Sequence, residues 1–175
     1  MLAYHWLHVQ RQAFGPVSGV QRSGPAPHAF WHAMVEHLSQ PEGFVMLGLY
    51  LAGTWMLRLM PASYYEFEGG IDWRAVAAQL LLQDVIQFAM HLGEHKVDDL
   101  LGTKLWFYKK SHKPHHRFTN PKLFDAFNGS PADTFFMILV PLFATAHCVH
   151  CNVWSYMAFG SLYANWLCLI HSEVS

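Results

Sequence analysis

Residues 74–95 read RAVAAQLLLQDVIQFAMHLGEH. The stretch contains no proline and predicts one amphipathic helix. Leu80, Leu81, Val85, Ile86 and Ala89 alternate with Gln79, Gln83, Asp84 and Gln87. His91 and His95 close it four residues apart, a spacing that puts two Cβ atoms about 5–6 Å apart on one helix face. Two imidazoles so placed can share one metal ion, the geometry used by the paired-histidine helix of zinc proteases. Asp84 lies seven residues before His91, on the same stripe. An acid buried in an apolar helix is costly and marks function. Its expected task is to accept a hydrogen bond from the far nitrogen of a ligating imidazole.

A lone histidine pair on a helix is more often a chance spacing or a hydrogen-bonded core pair. The weight comes from a second cluster, His112-Lys113-Pro114-His115-His116, which puts five imidazoles within 26 residues. His112 and His116 repeat the four-residue spacing, and His115 adds a neighbour. Pro114 fits the first turn of a helix starting near His112, where its missing N–H costs nothing. Thirteen histidines outnumber the eleven Lys and Arg residues. An all-nitrogen donor set with open positions suits iron or another mid-series metal.

Working outward, residues 43–60 form an apolar run whose only charge is Arg58, closed by Pro61. A spanning helix needs roughly 17–25 mostly apolar residues, so the run qualifies. Two more runs follow at 133–149, with Pro141 inside as a tolerable kink, and at 153–170. The expected architecture is an all-α membrane protein. About four transmembrane or membrane-embedded helices would carry a cytoplasmic, histidine-rich helical loop. Residues 1–42 read as a loosely ordered N-terminal arm with a short helix near 30–38, and 43–175 as the membrane domain. Charged residues make up 13% of the chain and hydrophobic ones 53%, against about 25% charged in a soluble domain. The formal net charge of −1 excludes a global basic field of the kind that binds nucleic acid. Three cysteines are too few for a disulfide framework. The first residues lack a basic region followed by an apolar core, so no cleavable signal is expected.

Residues 96–132 hold seven of the eleven Lys and Arg residues, whereas 61–73 hold none. The positive-inside rule therefore turns the 96–132 loop to the cytoplasm, where its lysines also suit anionic headgroups. The helix ending at His95 and the helix preceding His171 both deliver histidines to that face. His147-Cys148-Val149-His150-Cys151 looks like a zinc knot. It falls at the opposite face and lacks the two separated ligand pairs of a structural site. His28, His32 and His37 read as interfacial residues.

These motifs resemble the fatty acid hydroxylase/sterol desaturase superfamily of membrane histidine-box di-iron oxygenases. Asp84, Phe88, His91, Leu92 and His95 follow its first box, with Phe88 where Tyr is usual and Leu92 where Arg is usual. Trp106-Phe107-Tyr108 and then residues 112–116 follow its second. Pro131-Ala132-Asp133 is similar to its His-Pro-x-Asp element, with Ser130 at the histidine position, and Leu169-Ile170-His171 to its next ligand-bearing helix. The resemblance covers roughly residues 43–175. It implies two iron ions held by His91, His95, His112, His115, His116 and His171, with Asp84 behind them and O2 as co-substrate. Electrons would come from cytochrome b5 or an NAD(P)H-linked reductase. The implied activity is hydroxylation or desaturation of a sterol or fatty-acyl C–H bond, in lipid biosynthesis. The implied partners are a membrane lipid and an electron-donor protein, with no nucleic acid, and the implied location is the endoplasmic reticulum membrane. The family carries a third His-x-x-His-His box that has no counterpart here, so six ligands suggest a truncated or inactive form. The alternatives are therefore an inactive scaffold of this family and a histidine-rich membrane protein that binds or transports metal.

Overall fold

A computed structural model describes residues 30–39, 41–100, 113 and 130–170. Helix α1 is Phe30–Ser39. A π-helical turn, Pro41–Val45, leads into α2, Met46–Met56. After a link containing the 3₁₀ turn Ala62–Tyr65 comes the long α3, Trp73–Leu100. Helix α4 is the rod Pro131–Cys148, and α5 is Val153–Ile170. The described residues are helical, without strands.

Asp72 starts α3 as an N-cap: its Oδ1 accepts from the N–H groups of Arg74 (2.9 Å) and Ala75 (3.3 Å), satisfying donors the first turn leaves open. The link before it turns through Gly69 and Gly70 at φ +88° and +67°, a region glycine enters at no steric cost. Asn152 Nδ2 donates to the carbonyls of Glu68 (2.8 Å) and Gly70 (2.6 Å). Ser155 Oγ donates to Asn152 Oδ1 (2.7 Å) and accepts from Asp72 N (2.8 Å). Thus α3 and α5 start side by side. Within α4, the π-helical turn Phe135–Leu139 sits just before Pro141. Pro141 has no N–H for the carbonyl of Met137 and would crowd it in a regular helix; the wider turn relieves both problems.

Helix α3 packs against α4 and α5 with its polar side inward. Gln79 and Gln83 are wholly buried, whereas Leu81 is 72% and Val85 63% exposed. Phe88 and Leu92 are exposed beside them. Burying glutamine while leaving four large apolar side chains outside inverts the pattern of a water-soluble helix. The arrangement is favourable where the outside is hydrocarbon and polar groups must find partners inside. Helices α3 (over Trp73–Lys96) and α4 are long and apolar enough to cross a membrane, as an all-α membrane protein requires. The first apolar run gives a shorter helical segment than expected, Gly43–Met56. The chain leaves α2 at Leu57, and Arg58 has φ +51°. The fourth run, expected at 153–170, starts as α5 at Val153 and is helical through Ile170, the last described residue.

One end of the bundle is aromatic. Trp55, Tyr64, Tyr65, Phe67, Trp154 and Tyr156 meet edge to face, with Tyr64–Tyr156 centroids at 4.8 Å. Trp154 Nε1 donates to the carbonyl of Phe67 (2.8 Å). Amphipathic rings of this kind gather at membrane–water interfaces.

Candidate metal centre

Gln79, Gln83, Gln87, His91 and His95 follow one another at four-residue intervals. Each step advances about 40° around the helix, since four residues overshoot one 3.6-residue turn. Burial fades along the lane accordingly. Gln79 and Gln83 are buried, Gln87 and His91 half-buried, and His95 exposed. The three glutamines are held by neighbouring helices. Gln79 Nε2 donates to the Val149 carbonyl (3.0 Å) and to Cys151 Sγ (3.3 Å). Thr145 Oγ1 donates to Gln83 Oε1 (3.0 Å), and Tyr163 OH donates to Gln87 Oε1 (3.0 Å). Those bonds fix the rotation of α3 and so set where the histidines emerge.

The rings of His91 and His95 lie with centroids 4.7 Å apart at 64°. Both belong to one lane, as the spacing predicts. Asp84 shares that margin of the helix, about 20° from His91 by the helical repeat. It is exposed rather than buried as expected, because the margin lies just outside the packed face. Two carboxylates to which the sequence reading assigned no ligand role are buried at this end, Glu94 at 5% and Asp133 at 8% exposure. The pairs Gln79–Val149 and Gln83–Thr145 show that α3 and α4 run antiparallel. Continuing that register brings the level of Asp133 to that of His95. Asp133 is held in the first turn of α4, where its N–H donates to Ser130 Oγ (3.1 Å). Both acids stand at the ends of apolar runs, and the sequence alone did not say which side of the helix is inside.

His112, His115, His116 and His171 lie outside the described residues, as does most of the 96–132 loop; Lys113 is an exposed turn residue. Since α3 and α5 start together and meet again at Gln87–Tyr163, they run in the same direction. The last described turn of α5 therefore points to the end that carries His91 and His95. Among the described residues, no three His, Cys, Asp or Glu side chains converge as a metal-holding group. Two of the six expected ligands are thus placed as a pair.

The opposite end is built differently. His147 faces the carbonyls of Phe143 (Nδ1, 2.8 Å) and Leu59 (Nε2, 3.1 Å), tying α4 to the link, and His150 Nε2 faces the His147 carbonyl at 3.0 Å. Both ring nitrogens of His147 and Nε2 of His150 thus address backbone. Burial raises the Cys151 thiol above its usual range; the Gln79 hydrogen bond opposes this and the Asp72 charge adds to it. Tyr64 is also raised, first by burial and then by Tyr65 and Cys151.

Residues 76–175 match the family model described as fatty acid hydroxylase. A protein of Phaeodactylum tricornutum named "Alternative squalene epoxidase" is 59% identical over 155 residues, covering 88% of this chain and 43% of its own length. The chain thus spans less than half the length of that curated relative. No solved structure matches the chain.

Proposed function

This chain belongs to the fatty acid hydroxylase family, and from that premise we propose that it serves an iron- and oxygen-dependent oxidation of an apolar membrane lipid. Its substrate class is squalene-like isoprenoids, and its reaction is epoxidation of a C=C bond. The observation that carries this reading is the 59% identity to a protein whose name states squalene epoxidation. The donors fit. His91 and His95 stand as a pair at the end of a lipid-facing helix, and an all-nitrogen set with open positions suits iron. His112, His115, His116 and His171 would complete the set, with Asp84 orienting an imidazole. Iron bound there supplies activation of O2, with electrons from cytochrome b5 or an NAD(P)H-linked reductase. The balance is substrate, O2, an electron pair and two protons giving epoxide and water.

The chain's own side chains do the rest. The glutamine lane fixes the rotation of α3, and the packed bundle keeps water from the substrate carbon. The cytoplasmic-rim placement in the endoplasmic reticulum lets a soluble donor approach while the lipid arrives through the bilayer. A second reading, C–H hydroxylation of an acyl chain, is what the family description favours; desaturation and a sterol substrate rest on the motif resemblance alone.

The test is squalene and an acyl lipid supplied to membranes holding the chain, under isotopically heavy O2, with iron analysis and mass spectrometry of the products. Heavy oxygen in a squalene product, lost in His91→Ala and His95→Ala, is the expected result. Iron without product on either substrate would instead indicate metal storage. No iron at all would indicate a scaffold.

A further inference from the structure

A second feature of the bundle is an open groove of about 530 Å³ between α2 and α4, within the roughly 300–1,000 Å³ range of ligand pockets. Its α2 wall is the stripe Met46, Leu49, Tyr50, Gly53, Thr54 and Leu57, a spacing of three and four that keeps one helix face in the groove. Residues 135–144 of α4 supply the facing stripe at the same spacing. The wall carries two hydroxyls and both are engaged. Tyr50 OH pairs with Tyr156 OH at 3.4 Å, and Thr54 Oγ1 donates to the Tyr50 carbonyl at 2.7 Å. A polar ligand would find no open donor here, whereas a hydrocarbon loses nothing by entering. The groove is bordered by exposed Leu49, Leu57 and Phe135. Its Phe135 end lies near the level of the histidine pair in the α3–α4 register.

We infer that this groove holds the hydrocarbon chain of the isoprenoid substrate and that Gly53 sets the bulk it admits. The inference rests on the reading given under Proposed function. Gly53 lines the groove, and a Cβ built there meets nothing within 4 Å. The space its missing side chain leaves belongs to the groove. A hydrocarbon lying there runs alongside α2 for about 15 Å, the rise of the ten steps from Met46 to Met56.

The chain is reconstituted in nanodiscs of dioleoylphosphatidylcholine and photolysed with a diazirine-bearing squalene, and the labelled peptides are mapped. Label on residues 46–57 and 135–144, displaced by unlabelled squalene, is expected. Gly53→Leu should reduce it about tenfold or more, since one methylene-sized misfit in an apolar pocket changes discrimination by about 10–200-fold. Replacing a mid-helix glycine favours the helix, so loss of label would not reflect unfolding. Gly48→Leu is the control: it is exposed on the same helix, its Cβ space is also open, and it is not part of the groove. Label that squalene does not displace would make the groove a slot for bilayer acyl chains and overturn the inference. So would label indifferent to Gly53→Leu. Labelling needs neither iron nor O2, so it survives if the oxidation reading fails. Product formed without groove labelling sinks the groove alone.

Discussion

Thr145 Oγ1 donates a 3.0 Å hydrogen bond to Gln83 Oε1 where neither residue has any exposed surface. This bond joins α4 to α3 at the centre of the bundle, between the Gln79 and Gln87 contacts. Thr145→Val keeps the shape and removes the donor. Interhelical hydrogen bonds inside membranes average about 0.6 kcal/mol, with a maximum near 1.7. Thr145→Val should destabilise the bundle by an amount in that range when unfolding is followed in bicelles. Combined with Gln83→Leu, it should add little further loss, because the bond is already gone. Full additivity would show that the pair does not interact.

The outward face of α3 gives the complementary prediction. Val85 is 63% exposed, and in water an exposed valine replaced by lysine typically changes stability by no more than about 0.5 kcal/mol. In the middle of a spanning helix, lysine costs about 2.5–3.5 kcal/mol of insertion free energy. Val85→Lys should therefore depress insertion of α3 sharply in a translocon assay, while Trp73→Lys, at the start of the helix, should be tolerated. Equal tolerance at both positions would mean that the face is covered by protein or water rather than lipid.

The rough positions of the described helices were legible because long apolar runs and Pro61 punctuate the chain. The start of the fourth run at Val153 was read to the residue. Which face of α3 is inside was not legible. A period of 3.6 identifies two faces, but the choice between them depends on the solvent around the helix. Read as a soluble helix, Leu81 and Val85 would be core; here Gln79 and Gln83 are. That inversion explains both the exposure of Asp84 and the roles the glutamines had not been given. The pairing of His91 with His95 was legible since a single helix carries both. The convergence expected of His112, His115, His116 and His171 depends on residues outside the described ones.

At the aromatic end, the thiols of Cys148 and Cys151 should separate by reactivity. Cys148 is exposed and Cys151 half-buried. Burial raises the Cys151 thiol, so it holds less thiolate near neutral pH, and the thiolate is the nucleophile. Alkylation read by peptide mass spectrometry should therefore modify Cys148 first, with Cys151 catching up as the pH rises. The same shift has a sign for stability. The unfolded thiol ionises first, so its contribution is complete below the ordinary thiol pKa and is lost as pH climbs through the folded value. Gln79→Ala removes the one interaction that lowers the Cys151 thiol, and should slow its alkylation further unless the substitution opens the site to water.

His147 ties α4 to the Leu59 carbonyl at 3.1 Å while its other nitrogen faces the Phe143 carbonyl. Of the two contacts, the one to Leu59 crosses from α4 to the link. Because the residue is exposed, His147→Ala should cost only about 0.5–1.5 kcal/mol, read from unfolding followed in bicelles. An unchanged stability would show that this contact does not hold the link to α4.

Asp84 and His91 supply the sharpest test of the metal reading. They share one margin of α3 but are separated by seven residues, about 10 Å of helix rise. Both side chains lean toward the helix N-terminus, so the Asp84 carboxylate would reach His91 only through bridging water. Removing an outer partner of this kind usually lowers metal affinity about 10–100-fold. The water-bridged distance places Asp84→Asn near the lower limit, about tenfold. His91→Ala removes a ligand outright and should lower affinity further than Asp84→Asn, in iron titrations of the membrane-embedded chain followed by absorbance. Asp84→Glu, which keeps the charge, should retain most of the affinity. If Asp84→Asn and Asp84→Glu both bind iron as the wild type does, Asp84 has no part in orienting the imidazole. If His91→Ala also binds iron unchanged, the pair on α3 is not the metal's anchor.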